Sequence, residues 1–201
     1  MPATTTAGRR PAREGRRQQI LRCAAQLFAG RGFHGVSVDD LGAAAGVTGP
    51  ALYRHFRSKE DILSELLVSA SERLLDGGRR RVQDAQDPGQ ALDALIEFHV
   101  AFALDEPDVI TVHQRDLSSL PPRARRAVRA LQHEYVLIWA QVVERITGCG
   151  TERAIAAAHA GFGLMNSTPH SARLPSDAMS ALLREMAGAA LRAASGTPPA
   201  R

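Results

Sequence analysis

The sequence predicts an all-α chain, a small N-terminal three-helix unit followed by a larger helical body. Three observations carry this. Apolar residues recur at three- and four-residue spacing from Ile20 to Leu191, and no stretch alternates as a strand would. Glycine and proline fall between these periodic segments, as at Gly46, Pro107, Pro121-Pro122 and Gly148. The charge is also uneven: residues 1–60 hold 10 Arg/Lys against 4 Asp/Glu, and residues 61–201 hold 15 against 17. A basic head on a near-neutral body fits a polyanionic partner at the N-terminal end.

Residues 1–14 are Thr, Ala, Gly, Pro and Arg without an apolar period, which predicts a disordered basic tail. Its Arg9, Arg10 and Arg13, with Arg16 and Arg17 beyond it, form an arm suited to phosphates or a minor groove, or a solvated tail. A first helix over 15–29 carries Ile20, Ala24, Leu27 and Phe28 inward, and Phe33 and Val36 close the small core. Ser37 with Asp40 is a capping signature that starts a second helix over 38–45, and Gly46 ends it in a left-handed cap. Thr48 is the next N-cap, and Pro50 lies in a first turn where its missing N–H does no harm.

Helix, glycine turn and helix within about 20 residues is the layout of a helix-turn-helix, whose second helix enters the DNA major groove. That helix is expected over 49–56. Leu52 and Phe56 face inward, while Tyr53, Arg54 and His55 face out, where Tyr53 and His55 can donate to phosphates or base edges. Lys59, at the start of the following helix, can neutralise a phosphate.

The segment from Arg17 to Leu66 resembles the DNA-binding domain of the TetR family of bacterial repressors. Ile20, Gly32, Phe33, Leu41, Gly46, Val47 and the run LYRHFRSKEDIL (52–63) carry the resemblance. It implies that the family's DNA-contacting Tyr, His and Lys correspond to Tyr53, His55 and Lys59. Gly49 and Ala51 stand where many relatives carry a polar base-reading side chain, which shifts readout toward Thr48, Tyr53 and phosphate contacts. The expected DNA-binding set is Arg16, Arg17, Ser37, Thr48, Gly49, Pro50, Tyr53, Arg54, His55 and Lys59. By the same resemblance, residues 15–60 are the DNA-binding domain and 61–194 the ligand-binding and dimerisation domain, before a short tail at 195–201.

In the body, a long helix from Ser58 is expected to stop at Gly77-Gly78, with Arg79–Arg81 as a solvated patch. Helices follow from Asp87 to Leu104, through Val109–Leu117, and over 122–147. The last two, 151–166 and 176–194, are rich in small residues and in a Met/Leu stripe respectively, and are expected to pair with their copies in a homodimer as a four-helix bundle.

Phe98, His99, Phe102, His113, Tyr135, Trp139, His159, Phe162 and Asn166 lie on faces that should meet inside the body. Aromatic walls with a few polar atoms suit a mostly apolar small molecule. The body is similar to TetR-type regulators that respond to acyl-coenzyme A thioesters, with Arg115 and its neighbours Arg123, Arg125 and Arg126 near the phosphates. The sequence contains no nucleophile elbow, phosphate-cradling glycine loop or metal-spaced histidines, so no enzyme, cofactor or metal site is expected. No apolar run spans a membrane, and a cytoplasmic protein is expected. The functional expectation is a dimeric repressor on a palindromic operator, released by its effector. The alternatives are an activator, or a helical ligand-binding or scaffolding protein without specific DNA readout.

Overall fold

The computed structural model describes residues 9–171 and 173–195. They form ten α-helices: α1 Arg9–Arg31, α2 Val38–Ala45, α3 Gly49–Leu52, α4 Lys59–Asp84, α5 Pro88–Asp105, α6 Pro107–Asp116, α7 Pro122–Thr147, α8 Thr151–Met165, α9 Thr168–Ser171 and α10 Ser176–Arg192. No strand occurs among the described residues.

Local chemistry sets most of these boundaries. At α2, the Ser37 hydroxyl accepts from the Asp40 amide at 3.0 Å, while the Asp40 carboxylate accepts from the Ser37 amide at 2.8 Å. Gly46 closes the same helix at φ 65°, where a side chain would be strained. Ser58 and Asp87 cap α4 and α5 in the same way, accepting from the amides of Asp61 and Gln90.

Three boundaries and one short helix differ most from the sequence expectation. Helix α1 begins at Arg9, so residues 9–14 are helical rather than a disordered tail. Arginine and alanine favour helix, and Pro11 falls in a first turn that needs no N–H from it. The expected tail segments 1–8 and 196–201 lie outside the described residues, as do the side chains of Arg9, Arg10 and Arg13. The helix expected over 49–56 is shorter: α3 ends at Leu52, and the chain tightens through i→i+3 bonds from Arg54 to Ala51 and from His55 to Leu52. Helix α4 passes through Gly77 and Gly78 to Asp84. Those glycines are contact positions instead of stops: the Phe98 ring covers Gly77, and a Cβ on Gly78 would stand 2.6 Å from Tyr135 Cε2. The short α9 was not expected at all.

Two cores result. The first joins Ile20, Ala24 and Phe28 of α1 to Phe33, Leu41, Leu52, Phe56, Ile62 and Leu63. It continues across residue 60 into Val109 and Val112 of α6 and Leu120 and Val128 beside and within α7. The second is built around Trp139, with Leu92, Leu95 and Ile96 of α5, Ala154 and Ala158 of α8, and Met179, Leu183 and Leu191 of α10. Helix α4 runs through both, which makes it the physical link between head and body.

The arginines at 79 and 81 are not a purely solvated patch. Arg79 pairs with Glu134 at 2.5 Å, and the Arg81 guanidinium lies 4.1 Å from the Phe98 ring centre.

Candidate nucleic-acid interface and ligand cavity

The ten residues expected at DNA divide by what already holds them. Thr48 is exposed and makes no capping hydrogen bond with its side chain. Pro50 and Arg54 are exposed, Gly49 and His55 half-buried, and Tyr53 is 54% exposed at the end of α3. An aromatic side chain standing that far into solvent next to a helix-turn-helix bend is not explained by packing. Arg16, also exposed, donates to Gln19 at 3.0 Å.

Three of the expected contacts have partners inside the head. The Arg17 guanidinium donates to both carboxylate oxygens of Glu65 and to the His55 carbonyl, and it covers the Phe56 ring at 4.2 Å. It is a strut joining α1, the end of α3 and α4. The Ser37 hydroxyl donates to Asp40 at 2.6 Å within its capping box, which holds the Asp40 carboxyl below its ordinary range. Lys59 donates to the carbonyls of Phe33 and Val36 at 2.8 and 2.7 Å and sits over the Phe33 ring. A cation bridging two backbone carbonyls fixes the loop between α1 and α2 to the start of α4. Lys59→Met keeps the length and removes the donors. It should lower stability by about 2 kcal/mol, read as a fall in melting temperature without DNA present. An unchanged melting temperature would return Lys59 to a purely phosphate-facing role.

The body encloses a cavity of about 290 Å³ between α4, α5, α6, α7 and α8. That is near the lower end of small-molecule sites. Seven of the ten residues expected at a ligand line it: His99, Phe102, His113, Tyr135, His159, Phe162 and Asn166. Exposed Gln114 and His159 bring it to the surface. No Lys, Arg, Asp or Glu contributes to its wall.

The other three lie elsewhere. Phe98 packs on Gly77 beneath Arg81 and does not line the cavity. Trp139 is fully buried behind the lining rings, edge-on to Phe162 at 5.1 Å and to His99 at 5.9 Å. Arg115 turns toward the head, where it donates to the carbonyls of Phe28 and Ala29 at the end of α1 and pairs with buried Asp116 at 3.2 Å. Carbonyls at a helix C-terminus carry the negative end of the helix dipole and attract a guanidinium. Its neighbour Arg125 donates to the Ser118 carbonyl at 3.3 Å.

A buried polar chain crosses the cavity wall. His99 is 3% exposed, its Nδ1 lies 3.2 Å from the Tyr135 hydroxyl, and its Nε2 lies 3.0 Å from Asn166 Oδ1. An amide oxygen only accepts, so Nε2 carries the hydrogen and Nδ1 accepts from Tyr135. Burial pushes the His99 pKa down to about 4 and raises that of Tyr135, so both are neutral at pH 7. His113 is likewise pushed down by burial, and it accepts from the Gln132 amide. Ser71 closes on the Leu67 carbonyl of its own helix at 2.8 Å. The wall is therefore uncharged and hydrogen-bonding.

Sequence reasoning missed Ser71, Gln114 and Gln132. Two carried a signal: Ser71 is a polar residue on the apolar face of α4, and Gln132 precedes Tyr135 by three, on the same face of α7.

Among the described residues, no group of three His, Cys, Asp or Glu side chains could hold a metal ion, and no helix is long and apolar enough to cross a membrane.

Residues 20–66 match the family of bacterial regulatory proteins, tetR family, and residues 85–170 match the tetracyclin repressor-like C-terminal domain. The chain belongs to the TetR family of transcriptional regulators, DNA-binding proteins and not enzymes. It is 29% identical to the HTH-type transcriptional repressor KstR2 of Rhodococcus jostii over 83% of this chain and 80% of that one. Its fold resembles AibR, solved with isovaleryl coenzyme A and operator DNA, at a TM-score of 0.71 and 20% identity over 85% and 97% of the two chains. It also resembles FadR of Bacillus subtilis, solved with stearoyl-CoA, at a TM-score of 0.65 and 19% identity over 86% and 98%.

Proposed function

We propose that this regulator is a cytoplasmic repressor that binds a two-fold operator as a dimer and releases it when an acyl thioester enters the cavity. The observation that carries this is the position of α4. It begins beside the helix-turn-helix at Lys59 and, about two to four turns later, presents Leu67, Ala70, Ser71 and Leu74 to the cavity. A ligand that fits only when α4 is displaced favours a head position incompatible with the operator, and that difference in affinity is all release requires. AibR and FadR, solved with acyl-CoA ligands, support the ligand class. The uncharged wall suits the acyl end, with the coenzyme's phosphates left outside.

Faces left open support the dimer. On α10, Met179, Leu183 and Leu191 point into the body, while Leu182 and Met186 remain 40% and 48% exposed. On α8, Ala156, Ala160 and Gly163 form an exposed small-residue line at helical spacing. A second copy across α8 and α10 covers both and gives two heads one DNA turn apart, about 34–36 Å.

Footprinting on the DNA upstream of the chain's own gene tests this reading, with two symmetric protected half-sites expected. A single unsymmetric footprint, or none, would contradict it. Tyr53→Ala should weaken operator binding about tenfold with its melting temperature unchanged, measured by fluorescence anisotropy. Unchanged affinity would remove Tyr53 from the interface.

A further inference from the structure

Asn166 is the C-cap of α8, and its two amide ends have different fates. Oδ1 is held by His99 Nε2–H, and that hydrogen is fixed on Nε2 because Tyr135 donates to Nδ1 from the other side. The amide cannot turn over without setting two donors against each other or leaving the Tyr135 hydroxyl without its acceptor. Nδ2 therefore carries two donors on a residue of the cavity wall, and no protein acceptor among the described residues meets them. The other polar groups of the inner wall are already paired, Ser71 with Leu67 and His113 with Gln132. The rings of Phe102 and Phe162 tilt against His99 at 6.2 and 4.9 Å and line the same cavity as Asn166. A fixed donor in such surroundings selects for an acceptor on the ligand.

We propose that Asn166 is the residue that recognises the effector: its Nδ2 donates to the carbonyl oxygen of an acyl thioester, and Tyr135 and His99 are positioning residues that hold the amide in that orientation. This rests on the thioester reading given above and narrows it. The ligand is read at its carbonyl as well as by the volume of its chain.

The test compares octanoyl-coenzyme A with S-octyl-coenzyme A, a thioether of the same chain that lacks the carbonyl oxygen. Both are titrated into the full chain by calorimetry. The wild type is expected to bind the thioester about tenfold tighter. Asn166→Asp puts an acceptor where the donor was, so the preference should vanish while thioether affinity is kept. Asn166→Ser, too short to reach, should do the same and guards against a folding defect, checked by thermal melts. Tyr135→Phe, which frees the His99 tautomer, should narrow the preference without abolishing it; a purely structural role would weaken both ligands alike. Equal binding of the two ligands by the wild type, or a preference that survives in both Asn166 variants, overturns the proposal and leaves the thioester reading standing. Binding of neither ligand overturns both.

Discussion

Gly78→Val should destabilise the protein by on the order of 3 kcal/mol, a fall of about 6–12 °C in melting temperature for a chain of this size. The sign is opposite to the usual one. Replacing a glycine inside a helix normally gains stability from propensity, about 1 kcal/mol for alanine and a few tenths for valine. Here a Cβ would stand 2.6 Å from Cε2 and 3.1 Å from Cδ2 of Tyr135, and 3.5 Å from Leu95. Tyr135 is 5% exposed and tied through its hydroxyl to His99, so it cannot swing aside. The neighbouring Gly77 is the internal control. Its Cβ would meet the ring of half-buried Phe98, which can rotate outward at the cost of its contact with Arg81. Gly77→Ala should therefore cost less than Gly78→Ala, although both sit in the same turn of α4. Equal losses at the two positions would mean that Tyr135 is not the rigid partner described here.

Acid should weaken the fold through His99. Its pKa is about 4 when folded, against an ordinary value of 6.5, so between those values the unfolded chain binds a proton that the native state excludes. The stability held by the neutral ring is complete above pH 6.5 and falls as the pH drops toward 4. Its size is on the order of 3 kcal/mol. Tyr135, Asn166, Phe102, Trp139 and Phe162 surround the ring, and no charged side chain is among them to stabilise the imidazolium. Urea unfolding at pH 7 and at pH 5 should show the loss, and His99→Gln should flatten it. His113, displaced in the same direction, adds a smaller slope in the same window. A stability that is level from pH 7 to pH 5 would mean that His99 is hydrated in solution.

What could be read from the sequence was decided by neighbours in the chain. The caps at Ser37, Ser58 and Asp87 and the left-handed Gly46 depend on partners within four residues, so their spacing is visible. The same local logic misplaced the end of α4. Glycine reads as a stop, yet Gly77 and Gly78 are there because rings from α5 and α7 press on the helix. The intramolecular partners of the cations were out of sight for a related reason. Arg17, Lys59 and Arg115 are of the type that binds phosphate, but their acceptors lie 23 to 87 residues away and are mostly backbone carbonyls. The cavity was more legible, because His99, Tyr135, Phe162 and Asn166 are amphipathic residues on otherwise apolar faces. Trp139 and Phe98 share that pattern yet pack away from the opening, since periodicity gives the face of a helix and not the depth.

The most direct test of the account is to titrate octanoyl-coenzyme A into the complex of the full chain with its footprinted upstream DNA, followed by fluorescence anisotropy at fixed salt. The account predicts that the thioester releases the DNA, and that free coenzyme A at the same concentration does not. A complex that persists at saturating thioester, with binding of the ligand confirmed by calorimetry, would contradict the coupling of cavity to head through α4.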